Sequence, residues 1–182
     1  VLDKSNGLKT VYDQFQSATN MTDKTSALNL LINHDKDDTY ASSALADFYC
    51  QYKNENLVVN LWLQLQATNQ QPGGLSRVQS LMEHESFSIK NPNKVRSLIG
   101  SFASSNHLNF HDKLGTGYEF LGEQILKLNT LNPQVAARLV TPLTRWSDYE
   151  EPYANLMKKQ LKVIKASPGL VSDVYEVVTK SL

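Results

Sequence analysis

The sequence predicts an all-α fold, a superhelical stack of antiparallel helix pairs of the HEAT or armadillo kind. Apolar residues recur at three- and four-residue steps along nearly the whole 182-residue chain, whereas the two-residue alternation that a half-buried strand needs is scarce. Two segments, Asn91-Pro92-Asn93-Lys94-Val95-Arg96-Ser97-Leu98-Ile99-Gly100 and Asn132-Pro133-Gln134-Val135-Ala136-Ala137-Arg138-Leu139, share a helix-start signal and begin 41 residues apart. That separation is one helical-hairpin unit, roughly 40 to 47 residues. Asn is a strong N-cap because its side-chain oxygen accepts a free backbone N–H, and Pro suits the first helical position because its missing N–H had no partner there. No Pro-, Gly- or Ser-rich linker divides the chain, so one helical domain is expected over residues 1–182, with 1–16 either part of it or the tail of a preceding domain or linker.

The elements follow in order. Leu8, Val11, Tyr12 and Phe15 fall at helical spacing, and Thr22 can cap a second helix that buries Ala27, Leu28, Leu30 and Leu31. The polar runs 33–39 and 53–56 bracket a helix over about 40–52. The stretch 57–66 is apolar on most of its circumference and is expected to be central, with neighbours on several sides. Pro72-Gly73-Gly74 then punctuates the chain before a helix lined by Leu75, Val78, Leu81 and Met82. The two Asn-Pro helices come next, separated by Leu114-Gly115-Thr116-Gly117 and a helix over 118–128. Pro142 predicts a kink or stop near Thr141, because an interior proline loses a backbone bond and clashes with the preceding turn. Helices after Pro152 and from Val171 to the end complete about ten in all.

Composition narrows the function. Lys and Arg total 18, as do Asp and Glu, so no strong overall field draws the chain to nucleic acid or an anionic membrane surface. No stretch approaches the roughly 20 apolar residues that span a bilayer, and neither nucleic acid nor membrane is an expected partner. The single Cys50 excludes an internal disulfide; a reducing compartment and a packing role in its apolar-aromatic stretch are expected. The opening Val1-Leu2-Asp3-Lys4 reads as mid-sequence and predicts a piece of a longer chain.

The search for catalytic chemistry returns mostly absences. His84-Glu85-Ser86-Phe87-Ser88 starts like a His-Glu-x-x-His zinc motif but has serine where the second ligand belongs. His107 and His111 have the four-residue spacing, yet Asp112 is their only further ligand in sequence, and the surrounding residues read as a solvated loop. Gly115-Thr116-Gly117 lacks the strand and third glycine of a phosphate loop and reads as a helix-entry turn. Cys50 has no neighbouring base, and Asp148, Glu150 and Glu151 read as acids before a helix start. No catalytic residue, metal site or cofactor is assigned to this chain.

The arginines remain. There are four, Arg77, Arg96, Arg138 and Arg145, against fourteen lysines. Two uses are open to them. Arginine's planar fork binds a carboxylate through parallel N–H bonds, so arginines on two stacked units could form an anion-recognising wall; equally, each could pair with a surface acid or cover apolar area with its stem.

At these same residues the chain resembles the C-terminal domain of the bacterial aminopeptidase N family, zinc-dependent metallopeptidases. Asn91-Pro92-Asn93-Lys94-Val95-Arg96-Ser97-Leu98-Ile99-Gly100-Ser101-Phe102 carries the likeness. It is supported by Leu65-Gln66-Ala67-Thr68, Gly115-Thr116-Gly117-Tyr118-Glu119-Phe120-Leu121, the segment from Asn132 to Leu139, and the ending from Tyr175 to Leu182; it runs from about Ser17 to the end. The resemblance implies a noncatalytic helical cap in a cytoplasmic aminopeptidase that removes N-terminal residues from peptides. The cap would close over a zinc-bearing catalytic domain of the same polypeptide and help enclose a substrate chamber. The His-Glu-x-x-His motif and the zinc would belong to that other domain, so this chain alone would not be an enzyme. Arg96 and Arg138 match the cap's basic residues and are the expected contacts for the peptide substrate's C-terminal side or carboxylate. The alternative is a free-standing helical-repeat module that binds a protein or peptide on its concave surface.

Overall fold

The computed structural model describes residues 4–182, and the opening Val1-Leu2-Asp3 lies outside them. Among the described residues every regular element is helical. Helix α1 (Lys4–Ser17) packs along α2 (Met21–His34), burying Phe15, Leu28 and Leu31 between them and the rest of the core. Asn20 caps α2 by accepting the Asp23 N–H at 2.9 Å, in place of the expected Thr22, which lies inside the helix. The buried Asp35 carboxylate accepts the Tyr40 and Ala41 N–H groups at 2.6 and 2.9 Å and so starts α3 (Ala41–Tyr52).

Helix α4 (Asn56–Ala67) touches α3, α5 (Gly74–Met82) and the helices after residue 92, as its apolar sequence predicts. It is not surrounded: Val59, Trp62 and Leu63 are buried, but Leu57 is 82% exposed at the first turn. Cys50 on α3 is also exposed, because Ala44 and Phe48 occupy the buried face of that helix; the packing role expected for it is not realised.

The first Asn-Pro segment begins as predicted. The Asn91 side chain accepts from Asn93 N at 3.0 Å and Pro92 opens α6 (Pro92–Val95). The rod continues through a π-helical turn, Arg96–Gly100, into α7 (Ser101–Ser105), burying Val95, Leu98, Ile99 and Phe102. A short α8 (His107–Phe110) follows. Gly115, with φ of 75°, makes the turn into α9 (Thr116–Leu131), and Gly117 lets α9 pass directly against the Phe110 backbone. Asn132 accepts from Val135 N at 3.2 Å and Pro133 opens α10 (Pro133–Leu139). The chain breaks at Val140, and Pro142 sits in the first turn of α11 (Thr141–Thr144), the stop its position predicts. A 3-10 turn (Trp146–Asp148), α12 (Tyr153–Ala166) and α13 (Ser172–Ser181) close the stack, with α9 against α10 and α12, and α13 against both α10 and α12.

One apolar core runs from Phe15 to Val178. Each fully buried Leu, Ile, Val or Phe contributes about 1.5–3 kcal/mol, so this shared core, and not isolated helix propensity, holds the short helices in place. No described helix is long and apolar enough to cross a membrane.

Candidate functional site

Three of the four arginines meet at one cavity. Arg96 from the π turn, Arg138 from α10 and Arg145 from the end of α11 line a space of about 600 Å³ together with His107, His111 and Tyr149. Among the described residues no Asp or Glu lines it, and the ion pairs found, Lys9–Asp13 and Lys180–Glu176, involve no arginine. In an evenly charged chain, three exposed arginines lining one space with no carboxylate beside them make a local excess of positive charge.

Local structure fixes each arginine differently. Arg96 Nε donates to the Pro92 carbonyl at 3.2 Å and Nη2 donates to Asn93 Oδ1 at 2.8 Å, which holds the fork while leaving other N–H donors available. Arg138 and Arg145 are exposed and make no side-chain hydrogen bond among the described residues. Arg96 and Arg138 do not occupy identical places in their units: Arg96 falls five residues after its capping Asn91 and Arg138 six after Asn132, yet both face the same cavity. Arg77 is of another kind. Half-buried on α5, its Nη2 donates to the Asn69 and Gln71 carbonyls at 3.4 and 3.1 Å, and burial pulls it below the ordinary arginine range. It ties a loop and has no place in the cavity.

Aromatic rings share the lining with the arginines. His107 and His111, expected in a solvated loop, instead sit at the first residue of α8 and just past its end, with their rings stacked at 5.7 Å; His107 is exposed and His111 half-buried. His111 is held between two tyrosines: its Nδ1 is 2.8 Å from the Tyr118 hydroxyl and its Nε2 is 3.1 Å from that of Tyr149. Burial, and then the nearby His107, push its imidazolium pKa down to about 4, so the ring is neutral near pH 7. Burial likewise raises the Tyr118 phenol far above its ordinary value. Asp112 lies next in sequence but turns away: burial opposes its charge, yet hydrogen bonds from the Thr116 hydroxyl and the Gly117 and Leu114 N–H groups hold its carboxyl below the usual range.

Among the described residues no group of three or more His, Cys, Asp or Glu side chains is placed to hold a metal ion. The His107–His111 pair is committed to stacking and to the tyrosines, and does not fit a zinc site. Sequence reasoning therefore reached two of the cavity's arginines and missed Arg145, His107, His111 and Tyr149 as co-residents. One signal was available for Arg145: it follows Arg138 by seven residues, two helical turns on, across the Pro142 break.

Helical units stacked in chain order around one core, with a cationic cavity between the later units, define a repeat domain of the armadillo class. The chain belongs to the family described as a domain of unknown function (DUF3458_C) with ARM repeats, whose model matches residues 1–182. It is 39% identical over 181 residues to aminopeptidase N of Haemophilus influenzae, covering 97% of this chain and 20% of that protein. It is 38% identical over 172 residues to aminopeptidase N of Escherichia coli, covering 94% of this chain and 20% of that one. The chain thus spans about a fifth of the length of these relatives and corresponds to their C-terminal region. A crystal structure of Legionella pneumophila aminopeptidase A in complex with aspartic acid superposes with a TM-score of 0.92 at 34% identity, covering 99% of this chain and 21% of that one.

Proposed function

We propose that this chain, as one domain over residues 1–182, is the noncatalytic C-terminal domain of a cytoplasmic zinc-dependent aminopeptidase. It caps the catalytic domain of the same polypeptide and helps enclose the substrate chamber, and Arg96 and Arg138 bind the C-terminal side or carboxylate of the peptide. The observation that carries this reading is that both arginines share one cavity that no described carboxylate lines.

The chemistry follows from the groups present. A guanidinium presents parallel N–H donors that match the two oxygens of a carboxylate, and charge-assisted bonds of this kind contribute about 1.5–3 kcal/mol each. Holding the far end of a peptide fixes where its near end lies, so the domain acts by access and orientation, while bond cleavage belongs to the zinc-bearing domain. Among the described residues no group of His, Cys, Asp or Glu is placed to hold a metal ion, and no step of the reaction is assigned to them.

The test uses the complete enzyme carrying Arg96→Ala and Arg138→Ala together. The expected result is a fall of about 100-fold in kcat/KM for short peptides and less than about threefold for amino-acyl anilides, which carry no terminal carboxylate. An equal loss on both substrate types would overturn the reading.

A further inference from the structure

The cavity holds more positive charge than one carboxylate can use. A single α-carboxylate is satisfied by Arg96 and Arg138, which leaves the guanidinium of Arg145 facing the same space with no described acid to pair with it. We infer that Arg145 binds a second carboxylate and makes the cavity selective for peptides whose C-terminal residue is itself acidic. This deepens the function proposed above and rests on it.

Three observations support Arg145 in this role. Its backbone is pinned: the adjoining Trp146 donates its indole N–H to the Ser181 carbonyl at 2.7 Å, Lys158 Nζ sits 4.1 Å over the indole ring, and the Arg145 carbonyl accepts the Asp148 N–H at 3.0 Å. Its side chain is exposed and spends no hydrogen bond inside the protein, unlike Arg77, which is tied to two carbonyls. Tyr149, four residues on, engages His111 from the same short segment, so the fold brings Arg145 to the cavity on a braced wall. The acids closest in sequence, Asp148 and Glu150, are exposed and do not line the cavity.

The ligand class follows from charge and spacing. The side-chain carboxylate of a C-terminal Asp or Glu lies only a few bonds from its α-carboxylate, so one residue offers two anions to a three-arginine cluster. A C-terminal Gln has the same shape with one anion fewer.

The test is kcat/KM of the complete enzyme on three versions of one tripeptide, ending in Glu, Gln or Ala. The parent enzyme is expected to prefer Glu over Gln by about tenfold, and Arg145→Ala to bring that ratio to near one. Arg145→Lys keeps the charge without the fork and is expected to restore part of the preference. Thermal melting of each variant checks that the fold persists. A Glu-to-Gln ratio near one in the parent, or one unchanged by Arg145→Ala in a folded protein, overturns the inference. In that event the Arg96 and Arg138 result still stands on its own if the double variant spares the anilide; if it does not, the carboxylate reading itself has failed.

Discussion

The Tyr118 hydroxyl, in a residue 1% exposed, lies 2.8 Å from Nδ1 of His111, its one hydrogen-bond partner among the described residues. With the second ring nitrogen 3.1 Å from the Tyr149 hydroxyl, a neutral imidazole satisfies both tyrosines by donating to one and accepting from the other. An imidazolium would donate at both nitrogens, lose the acceptor role and bring charge into a half-buried site already facing His107 and the cavity arginines.

This gives a pH dependence of stability. The His111 pKa is about 4 in the folded protein and about 6.5 when unfolded, so between these values the unfolded chain binds the extra proton. Stability from this group is complete above about pH 6.5, falls as pH drops through that window, and is gone near pH 4. With allowance for the ring's partial exposure, the loss is about 1–2 kcal/mol. Urea unfolding at pH 7 and pH 4.5 should show a drop that is smaller by this amount in His111→Gln; equal drops would refute it.

Asn106 should be hard to replace. Fully buried, it donates from Nδ2 to the Ala67 and Asn69 carbonyls at 2.9 and 2.8 Å, while its Oδ1 accepts from Asn109 Nδ2 at 2.9 Å and caps α8 through Asn109 N at 3.3 Å. Asn106→Ala strands the buried Ala67 carbonyl and a helix-start N–H, leaves the Asn69 carbonyl with only its long bond from Arg77, and is expected to cost about 2–4 kcal/mol in chemical denaturation. Asn106→Asp removes both donors and should be no better.

Two glycines of α9 should behave oppositely. A Cβ on Gly117 would run into the Phe110 carbonyl oxygen, with the Phe110 Cα 3.1 Å away, and backbone cannot step aside; Gly117→Ala should cost more than about 2 kcal/mol. At Gly122 the obstacle is the far end of the flexible Gln160 side chain, which makes no side-chain hydrogen bond among the described residues and must shift. Gly122→Ala should change stability by less than about 1 kcal/mol, since the helix gain offsets the repacking. Comparable melting points for the two variants would show that α9 is placed differently.

The helix class, the Asn91 and Asn132 caps and the Pro142 break were legible in the sequence because each is a local signal that fixes its own hydrogen bonds. Arg96 and Arg138 were legible as candidates because arginine is scarce here and both follow those caps. Their meeting with Arg145 was not, because it depends on how the π turn, α10 and α11 pack. The π turn at Arg96 leaves no trace in apolar spacing over five residues. His107 and His111 read as loop because α8 is a single turn, too short for periodicity; the burial of Phe110 and Asn106 makes it helical. Cys50 and Leu57 read as packed because hydrophobicity alone does not say which face of a helix lacks a neighbour.

The most direct measurement is kcat/KM of the complete enzyme on one short peptide with a free C-terminus and on the same peptide as its C-terminal amide. Amidation removes the charge that Arg96 and Arg138 bind and leaves the N-terminal residue untouched, so a fall of at least about tenfold is predicted, with little further loss when both arginines are replaced by alanine. Equal turnover of acid and amide would contradict the claim that this cavity serves the peptide's carboxylate.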